Sequence, residues 1–165
     1  MMNGRLRPIL VALAILCSGC PRPLWLPDRN LREYVHEQEV IGIWNLSAES
    51  LDLLTRDGFK TNPSHQYRIQ FLPDGVCAFQ SVVDIVGDTD VIREYYDVKG
   101  KWKLEHDTTG NSNIKKKNTL RMALTLPDGE YSYYLNFDKQ DGTLVLWDFY
   151  GDPDSWEFME YKRAK

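Results

Sequence analysis

The residues best suited to metal binding are three histidines, His36, His65 and His106. None of them has a histidine or cysteine partner two or four positions away in the sequence. A structural zinc site normally requires four such ligands at short spacings. The sequence therefore predicts no metal site, and we interpret the three histidines as ordinary surface residues.

Nucleophiles are scarce in this chain, which lacks the Gly-x-Ser-x-Gly pattern that carries the catalytic serine of many hydrolases. Cys77 is the one thiol after residue 20, and it alternates with Phe79, Val83 and Ile85. This pattern indicates a core position, where cysteine packs as a small apolar residue. Because no nucleophile–base pair appears, we expect a protein that is not an enzyme and that requires no cofactor.

A group of acidic side chains near residue 150 is the remaining metal candidate. Asp152 and Asp154 have Asp148 and Glu157 as neighbours in the sequence, and carboxylates are ligands for calcium. Their spacing does not match that of an EF-hand loop, and Asp, Gly and Pro are also the residues that form turns. We interpret residues 151–154 as a turn between two strands.

Aromatic side chains, which make up 12% of the chain, supply the candidate binding residues. In a small barrel such side chains either fill the core or line an apolar cavity that opens at one end. The sequence leaves both interpretations open. The candidates for ligand contact are Trp44, Trp102, Tyr131, Tyr133, Phe137, Trp147 and Phe149.

These aromatic residues lie in segments that alternate between apolar and polar side chains, the pattern of strands with one buried face. Turn signals such as Asp128-Gly129 and Asp141-Gly142 separate the segments. A further hairpin is predicted around Lys99 and Gly100. The predicted strands cover residues 40–47, 66–72, 76–85, 91–98, 101–107, 118–127, 130–138, 143–150 and 156–163.

A single short helix is predicted over residues 48–57, because Ser47 is a suitable N-cap and Gly58 a suitable stop. The sequence thus predicts an all-β fold, an up-and-down antiparallel barrel of about eight strands with one helix after the first strand. Closure would remove unpaired strand edges. We expect two faces to meet inside the barrel, that of Tyr131, Tyr133, Leu135 and Phe137 and that of Val145, Trp147 and Phe149.

The N-terminus predicts export. Arg5 and Arg7 precede an apolar stretch over residues 8–16, which is too short to span a bilayer. The sequence Leu16-Cys17-Ser18-Gly19-Cys20 resembles the lipobox of bacterial lipoproteins, whose last cysteine is lipidated and becomes the new N-terminus. The resemblance implies a signal peptide over residues 1–20 and an acylated Cys20. The alternative is an ordinary secretory signal with Cys20 as a free thiol.

The rest of the chain divides into a tether over residues 21–38, which begins with several prolines, and a barrel domain over residues 39–165. The formal charge of the chain is -4. Removal of Arg5 and Arg7 with the signal leaves 18 basic and 24 acidic residues, a formal charge of -6. A nucleic-acid-binding protein usually carries a basic stripe, so we expect no nucleic-acid partner.

The predicted domain resembles the small bacterial lipocalin-like lipoproteins. The resemblance rests on the lipobox, on Gly42-Ile43-Trp44, on the strand Lys101-Trp102-Lys103-Leu104 and on the turn over residues 151–154. It implies the barrel fold and a membrane location, and it implies no catalytic residues.

Two functions fit these observations. The first is a membrane-anchored module that binds an apolar small molecule or another component of the cell envelope. The alternative is a protein–protein interaction module, such as an inhibitor or an assembly accessory, that works through loops 86–90 and 108–117. Either function places the protein in the cell envelope, held to a membrane by its lipid, on the periplasmic side in a Gram-negative cell.

Overall fold

Eight antiparallel strands form one closed sheet in the computed structural model, which describes residues 31, 33–62, 64–85, 92–106, 118–127, 129–151 and 157–165. Each strand pairs with its neighbours in the sequence, and β1 also pairs with β8. The predicted up-and-down barrel is therefore confirmed. The strands are β1 (Gly42–Leu46), β2 (Arg68–Phe71), β3 (Val76–Ile85), β4 (Ile92–His106), β5 (Asn118–Leu126), β6 (Gly129–Gln140), β7 (Thr143–Phe149) and β8 (Phe158–Arg163).

A nine-residue helix, α2 (Ala48–Arg56), covers one end of the barrel, and we call this the α2 end. The helix begins where predicted, because the Ser47 side chain accepts a hydrogen bond from the Ser50 backbone N–H at 3.1 Å. Leu54 is fully buried and belongs to the barrel core. The Ser50 hydroxyl oxygen accepts from the Glu160 backbone N–H at 2.8 Å, which fastens the helix to β8. The predicted helix after the first strand is confirmed.

The opposite end, the α1 end, is covered by the segment that leads into β1, which includes the single-turn helix α1 (Glu37–Val40). Val35 and Val40 are buried in the barrel core. The Leu31 backbone N–H donates to the Phe137 carbonyl at 2.8 Å, and the Asn118 side chain donates to the Glu33 carbonyl at 2.6 Å. Residues 31 and 33–38, which were predicted to belong to the tether, thus lie against the barrel in the structure.

Gly42 and Trp44 both contact Arg163 at the α1 end, in different ways. Gly42 has a φ of 140°, and an added Cβ would lie 3.1 Å from the Arg163 guanidinium, so the position favours glycine. Arg163 lies over the Trp44 ring, with its guanidinium carbon 5.8 Å from the ring centroid. It also donates to the Glu39 carbonyl at 3.0 Å. The Gly-x-Trp sequence therefore helps to close the barrel at the α1 end.

The predicted hairpin around Lys99 and Gly100 is wrong, because β4 runs without interruption through both residues. Gly100 is needed for a close approach of two strands. A Cβ at this position would lie 2.3 Å from the Ala123 carbonyl oxygen and 2.6 Å from a Leu124 methyl carbon. Lys-Gly is a common turn signal in a sequence, but glycine inside a strand also marks such contacts.

The turn that the sequence predicted at Asp141-Gly142 is present, and another turn lies at Gly75. Gly75 and Gly142 have φ values of 74° and 77°, and Asp141 has a φ of 51°. Two successive residues with positive φ are typical of the tight turn that best matches strand twist. The turn predicted at Asp128-Gly129 leads into β6 at Gly129, whereas Asp128 lies outside the described residues.

Candidate functional site

A cavity of about 110 Å³ lies inside the barrel toward the α2 end. Seven apolar side chains from β2, β3, β5, β6, β7 and β8 contribute to its wall, which shows that it belongs to the barrel interior. These apolar residues are Ile69, Phe79, Val83, Met122, Leu135, Phe149 and Met159. The remaining lining residues are Tyr133, Asp148 and Tyr161. Most of the lining residues are thus apolar, while polar atoms, among them one carboxylate and two phenol groups, form almost half of the exposed wall.

The register of β7 places Asp148 on the inner face. Residues that pair directly in an antiparallel sheet share a face, and Leu146 pairs with Phe137 on β6 and with Tyr161 on β8. These three side chains belong to the core. Asp148 follows Leu146 by two positions and pairs with Met159, so it projects toward the same interior.

Asp148 and Tyr161 determine the polarity of the cavity. The Asp148 Oδ1 atom accepts a hydrogen bond from the Phe149 backbone N–H at 2.8 Å. Burial raises the pKa of Tyr161, and the nearby charge of Asp148 raises it further. The tyrosine therefore stays protonated, and its hydroxyl can donate or accept a hydrogen bond.

A second polar group, which we call the rim cluster, consists of His65, Tyr67, Glu94 and Tyr96. Glu94 pairs with the cavity residue Val83 in the β3–β4 ladder, although none of the four residues lines the cavity itself. The His65 Nδ1 atom lies 3.1 Å from a Glu94 carboxylate oxygen. Burial and then contacts with Glu94 raise the pKa of Tyr67, and a hydrogen bond to Glu94 raises the pKa of Tyr96.

The rim cluster joins the β3–β4 hairpin to the segment that precedes β2. The other His65 ring nitrogen, Nε2, lies 3.0 Å from the Asn62 side-chain nitrogen. His65 was expected to be an exposed surface histidine, but only 27% of its side chain is exposed and both of its ring nitrogens have partners. No local pattern could reveal this contact, since His65 and Glu94 lie 29 positions apart. His36 and His106 are exposed.

Three of the predicted ligand-contact residues are packed in the core away from the cavity lining. Trp44 donates from Nε1 to the Val40 carbonyl at 2.7 Å, and Trp102 donates from Nε1 to the Leu72 carbonyl at 2.9 Å. Trp102 also meets Phe71 edge to face, with ring centroids 5.6 Å apart. Phe137 is buried in the same core. At these positions the structure favours the interpretation that the aromatic residues fill the barrel.

Tyr131 and Tyr133 lie nearer the α2 end. Tyr133 is half-buried and lines the cavity. Tyr131 pairs with the core residue Leu124 but keeps 39% of its surface exposed. The residues of β6 that were predicted to point inward therefore do so, but the first of them, Tyr131, lies at the open end of the barrel and stays partly exposed.

The prediction that Val145, Trp147 and Phe149 all face the interior is wrong. Their partners on β8 are Lys162, Glu160 and Phe158, and this face of β7 is opposite to that of Leu146 and Asp148. Trp147, Phe149 and Phe158 form an aromatic cluster of their own, with centroids 5.2–5.5 Å apart. Phe149, the last residue of β7, also reaches the cavity lining.

The reason for this error lies in the composition of β7. Leu144, Val145, Leu146 and Trp147 are all apolar, so the period-two pattern that fixes a strand's inner face has no phase here. The aromatic face was predicted to be the inner one, so Asp148 and Tyr161 were not predicted as cavity residues. The alternation of Met159 and Tyr161 with Glu160 and Lys162 on β8 was the available signal.

Cys77 is fully buried in the barrel core, as its alternation predicted. Burial raises the pKa of its thiol to about 11. Across the described ranges, no group of three or more His, Cys, Asp or Glu side chains is placed to hold a metal ion. No helix in this part of the chain is long and apolar enough to cross a membrane.

Several predictions concern residues outside the described ranges. These are the signal peptide with Cys20, the first part of the tether, the loops over residues 86–90 and 108–117, and residues 152–154 of the predicted turn. They remain predictions from the sequence.

Comparison of the chain with protein-family models, with curated proteins and with solved structures finds no match. The site is therefore interpreted from its own geometry.

Proposed function

We propose that this protein is a membrane-anchored binding module that holds a small, mainly apolar ligand in the cavity at the α2 end of its barrel. The observation that carries the proposal is the cavity itself, where apolar walls converge on a few polar atoms. This combination is typical of small-molecule sites. The lipobox-like sequence that ends at Cys20 supports a lipid anchor.

The cavity volume limits the ligand. Sites for drug-sized molecules occupy about 300–1,000 Å³, and the cavity here is about 110 Å³. An apolar cavity of about 150 Å³ holds benzene. The ligand, or the part of it that enters the barrel, therefore has about four to six non-hydrogen atoms.

The expected affinity follows from this size. The best small ligands gain roughly 1.5 kcal/mol of binding free energy per non-hydrogen atom. A ligand of five such atoms therefore reaches about 7.5 kcal/mol at most, a dissociation constant in the micromolar range. We expect a module that responds to micromolar or millimolar concentrations of its ligand.

A cavity-filling substitution tests the proposal. Leu135→Phe places a larger side chain into the cavity, and Val83→Phe does so from the other wall. Both variants should lose binding of 1-butanol, measured by ligand-observed NMR. At least one of them should unfold at the wild-type temperature or above, because filled space adds packing contacts.

Tyr134→Phe is the matched control, since Tyr134 is next to Leu135 but is exposed on the outer face of β6. It should bind 1-butanol as the wild type does. A wild-type protein that does not bind the probe, or folded cavity-filled variants that bind it unchanged, would refute the proposed site. The anchor has a separate test, because Cys20→Ala should move the protein from the membrane to the soluble fraction.

A further inference from the structure

The outer face of β4 carries a row of basic residues. Along this strand, residues of the barrel core alternate with exposed ones, and the exposed positions between residues 98 and 104 are all lysines: Lys99, Lys101 and Lys103. On β5, Arg121 is exposed and pairs directly with Lys103. Arg68 on β2 lines a groove of the outer wall together with Lys99. We call these five residues the basic wall.

The charges of the basic wall are only partly neutralised by the protein itself. Glu105 lies 3.7 Å from the Lys103 ammonium nitrogen and 3.9 Å from an Arg121 guanidinium nitrogen. The other two lysines form no ion pair with any described residue, although Asp97 shares a groove with Lys99. Lys103 and Arg121 also face each other directly, and like charges in that arrangement destabilise a sheet. The wall therefore has positive charge available for an anionic partner, which would offset this repulsion.

The path of the chain favours a membrane as that partner. Leu31 lies at the α1 end, where its backbone N–H donates to the Phe137 carbonyl at 2.8 Å. β4 ends on the same side of the molecule, since the rings of Tyr34 and His106 meet there with centroids 4.9 Å apart. Cys20 lies 11 positions before Leu31, a stretch that spans at most about 40 Å. A lipid on Cys20 would therefore keep the basic wall close to lipid headgroups.

The composition of the basic wall also suits a membrane surface. Lysine carries a compact charge on a flexible stem, whereas recognition of single phosphates in nucleic acids favours the fixed fork of arginine. Clusters of basic residues near a membrane anchor are attracted by anionic lipids. Tyr134 is exposed beside the wall, with the Arg121 guanidinium carbon 5.9 Å from its ring centroid. Tyrosine is enriched where proteins meet the headgroup region of a membrane.

Building on the lipid anchor of the proposed function, we infer that the basic wall binds the anionic phospholipid headgroups of the membrane that holds the protein. Each basic residue at such a surface raises affinity about fivefold. The contact is too weak to hold the protein by itself at physiological salt, but the anchor raises the local concentration of headgroups. β4 and β5 then face the membrane, and β8, four strands away from β4 in either direction, lies on the far side.

Lysine acetylation, measured residue by residue by mass spectrometry, tests the contact. The protein released from the membranes of its host is mixed with excess vesicles of phosphatidylcholine alone, or of phosphatidylcholine and phosphatidylglycerol in equal amounts. Lys99 and Lys101 should react at least about fivefold more slowly on the anionic vesicles. Lys162, which lies on the outer face of β8, should react at the same rate on both. Sodium chloride at about 0.5 M should remove the difference, because salt screens the attraction.

Two substitutions with the same change of charge locate the contact. Lys101→Gln removes a charge from the middle of the row and should reduce the protection of Lys99 on anionic vesicles by about half or more. Lys162→Gln removes a charge from the far side and should leave the protection of Lys99 unchanged. Both side chains lie outside the barrel core, so neither substitution should alter the fold. Equal effects of the two substitutions would contradict a contact at the basic wall.

The anchor and the basic wall would fail in different ways. If the protein does not float with phosphatidylcholine vesicles, the anchor of the proposed function fails, while the lysine rates with excess anionic vesicles still decide the inference. If Lys99 and Lys101 react equally fast on both kinds of vesicle, the inference is overturned and the anchor stands. Protection of the same lysines by polyglutamate but not by anionic vesicles would also overturn it, in favour of an acidic protein partner.

Discussion

Single residues at the α1 end show how this barrel satisfies its buried polar atoms. Trp44 is fully buried, and its indole N–H donates a hydrogen bond to the carbonyl of Val40, the last residue of α1. The guanidinium of Arg163 lies over the same ring. An indole at this position therefore fills volume, satisfies a carbonyl and orients the last arginine of β8. A phenyl ring would retain only part of the first role.

The Trp44→Phe variant tests this combined role. It removes the indole donor and leaves the Val40 carbonyl without it, so the free energy of unfolding should fall by about 1–3 kcal/mol. Urea denaturation of the wild type and the variant measures the change. Tyr134→Phe, at an exposed position, should change stability by less than about 0.5 kcal/mol. Equal stability of the Trp44 variant and the wild type would show that the hydrogen bond is unimportant.

The buried thiol of Cys77 should make the stability of the protein depend on pH in the alkaline range. Burial raises the pKa of its thiol from 9.0 to about 11, so the folded state keeps a proton that the unfolded state has already released above pH 9. The unfolded state then binds fewer protons, and stability falls as pH rises from about 9 to about 11. Cys77 alone contributes a loss of at most about 2–3 kcal/mol across this interval.

Urea denaturation at pH 8 and at pH 10.5 checks the prediction. Cys77→Ala should be less stable than the wild type at pH 8, because it creates a small void in the core. Its further loss between the two pH values should be smaller than that of the wild type, because the ionising thiol is gone. Identical alkaline losses in the two proteins would contradict the assigned role of Cys77.

The strands show which local signals were decisive. On β5, buried and exposed positions alternate from Asn118 to Leu126, and the sequence pattern has the same phase. On β7 both faces carry apolar residues, so the sequence pattern does not indicate which face points into the barrel. The pairing of Leu146 with Phe137 and Tyr161 resolves this ambiguity. Cavity residues on β7 were thus accessible only through contacts between strands.

On β4, the local sequence around Gly100 was misleading. Its local sequence indicates a turn, but its conformation is set by Ala123 and Leu124 on the neighbouring strand. Because Ala123 and Leu124 lie more than 20 positions away in the sequence, the contact that excludes a side chain at Gly100 is not visible in the local pattern. A single local pattern therefore could not distinguish a turn glycine from a close-contact glycine.

A pair of glycine substitutions separates the two kinds of site. Gly100→Ala forces β4 and β5 apart, so it should lower the free energy of unfolding by about 1–3 kcal/mol or more. Gly142→Asn alters a turn where an added Cβ meets nothing within 4 Å, and Asn tolerates positive φ. Thermal denaturation should therefore show a much larger loss for Gly100→Ala. The reverse order would indicate that β4 does turn at Gly100.

At the scale of the whole molecule, the barrel was predictable because strand segments and their turns follow one another without a long crossover. Which interior positions are filled and which line a cavity was not predictable. That division depends on how side chains from β2, β3, β5, β6, β7 and β8 meet in space. The aromatic residues that fill the α1 end leave the α2 end as the place where a small ligand fits.

Native mass spectrometry of the protein released in mild detergent from the membranes of its host tests the binding proposal most directly. The wild type should carry a non-covalently bound small molecule, which Tyr134→Phe should retain and Leu135→Phe should lose. The bound mass should correspond to a small, mainly apolar molecule that fits a cavity of about 110 Å³. A wild-type spectrum that shows no bound molecule and matches that of Leu135→Phe would contradict the account.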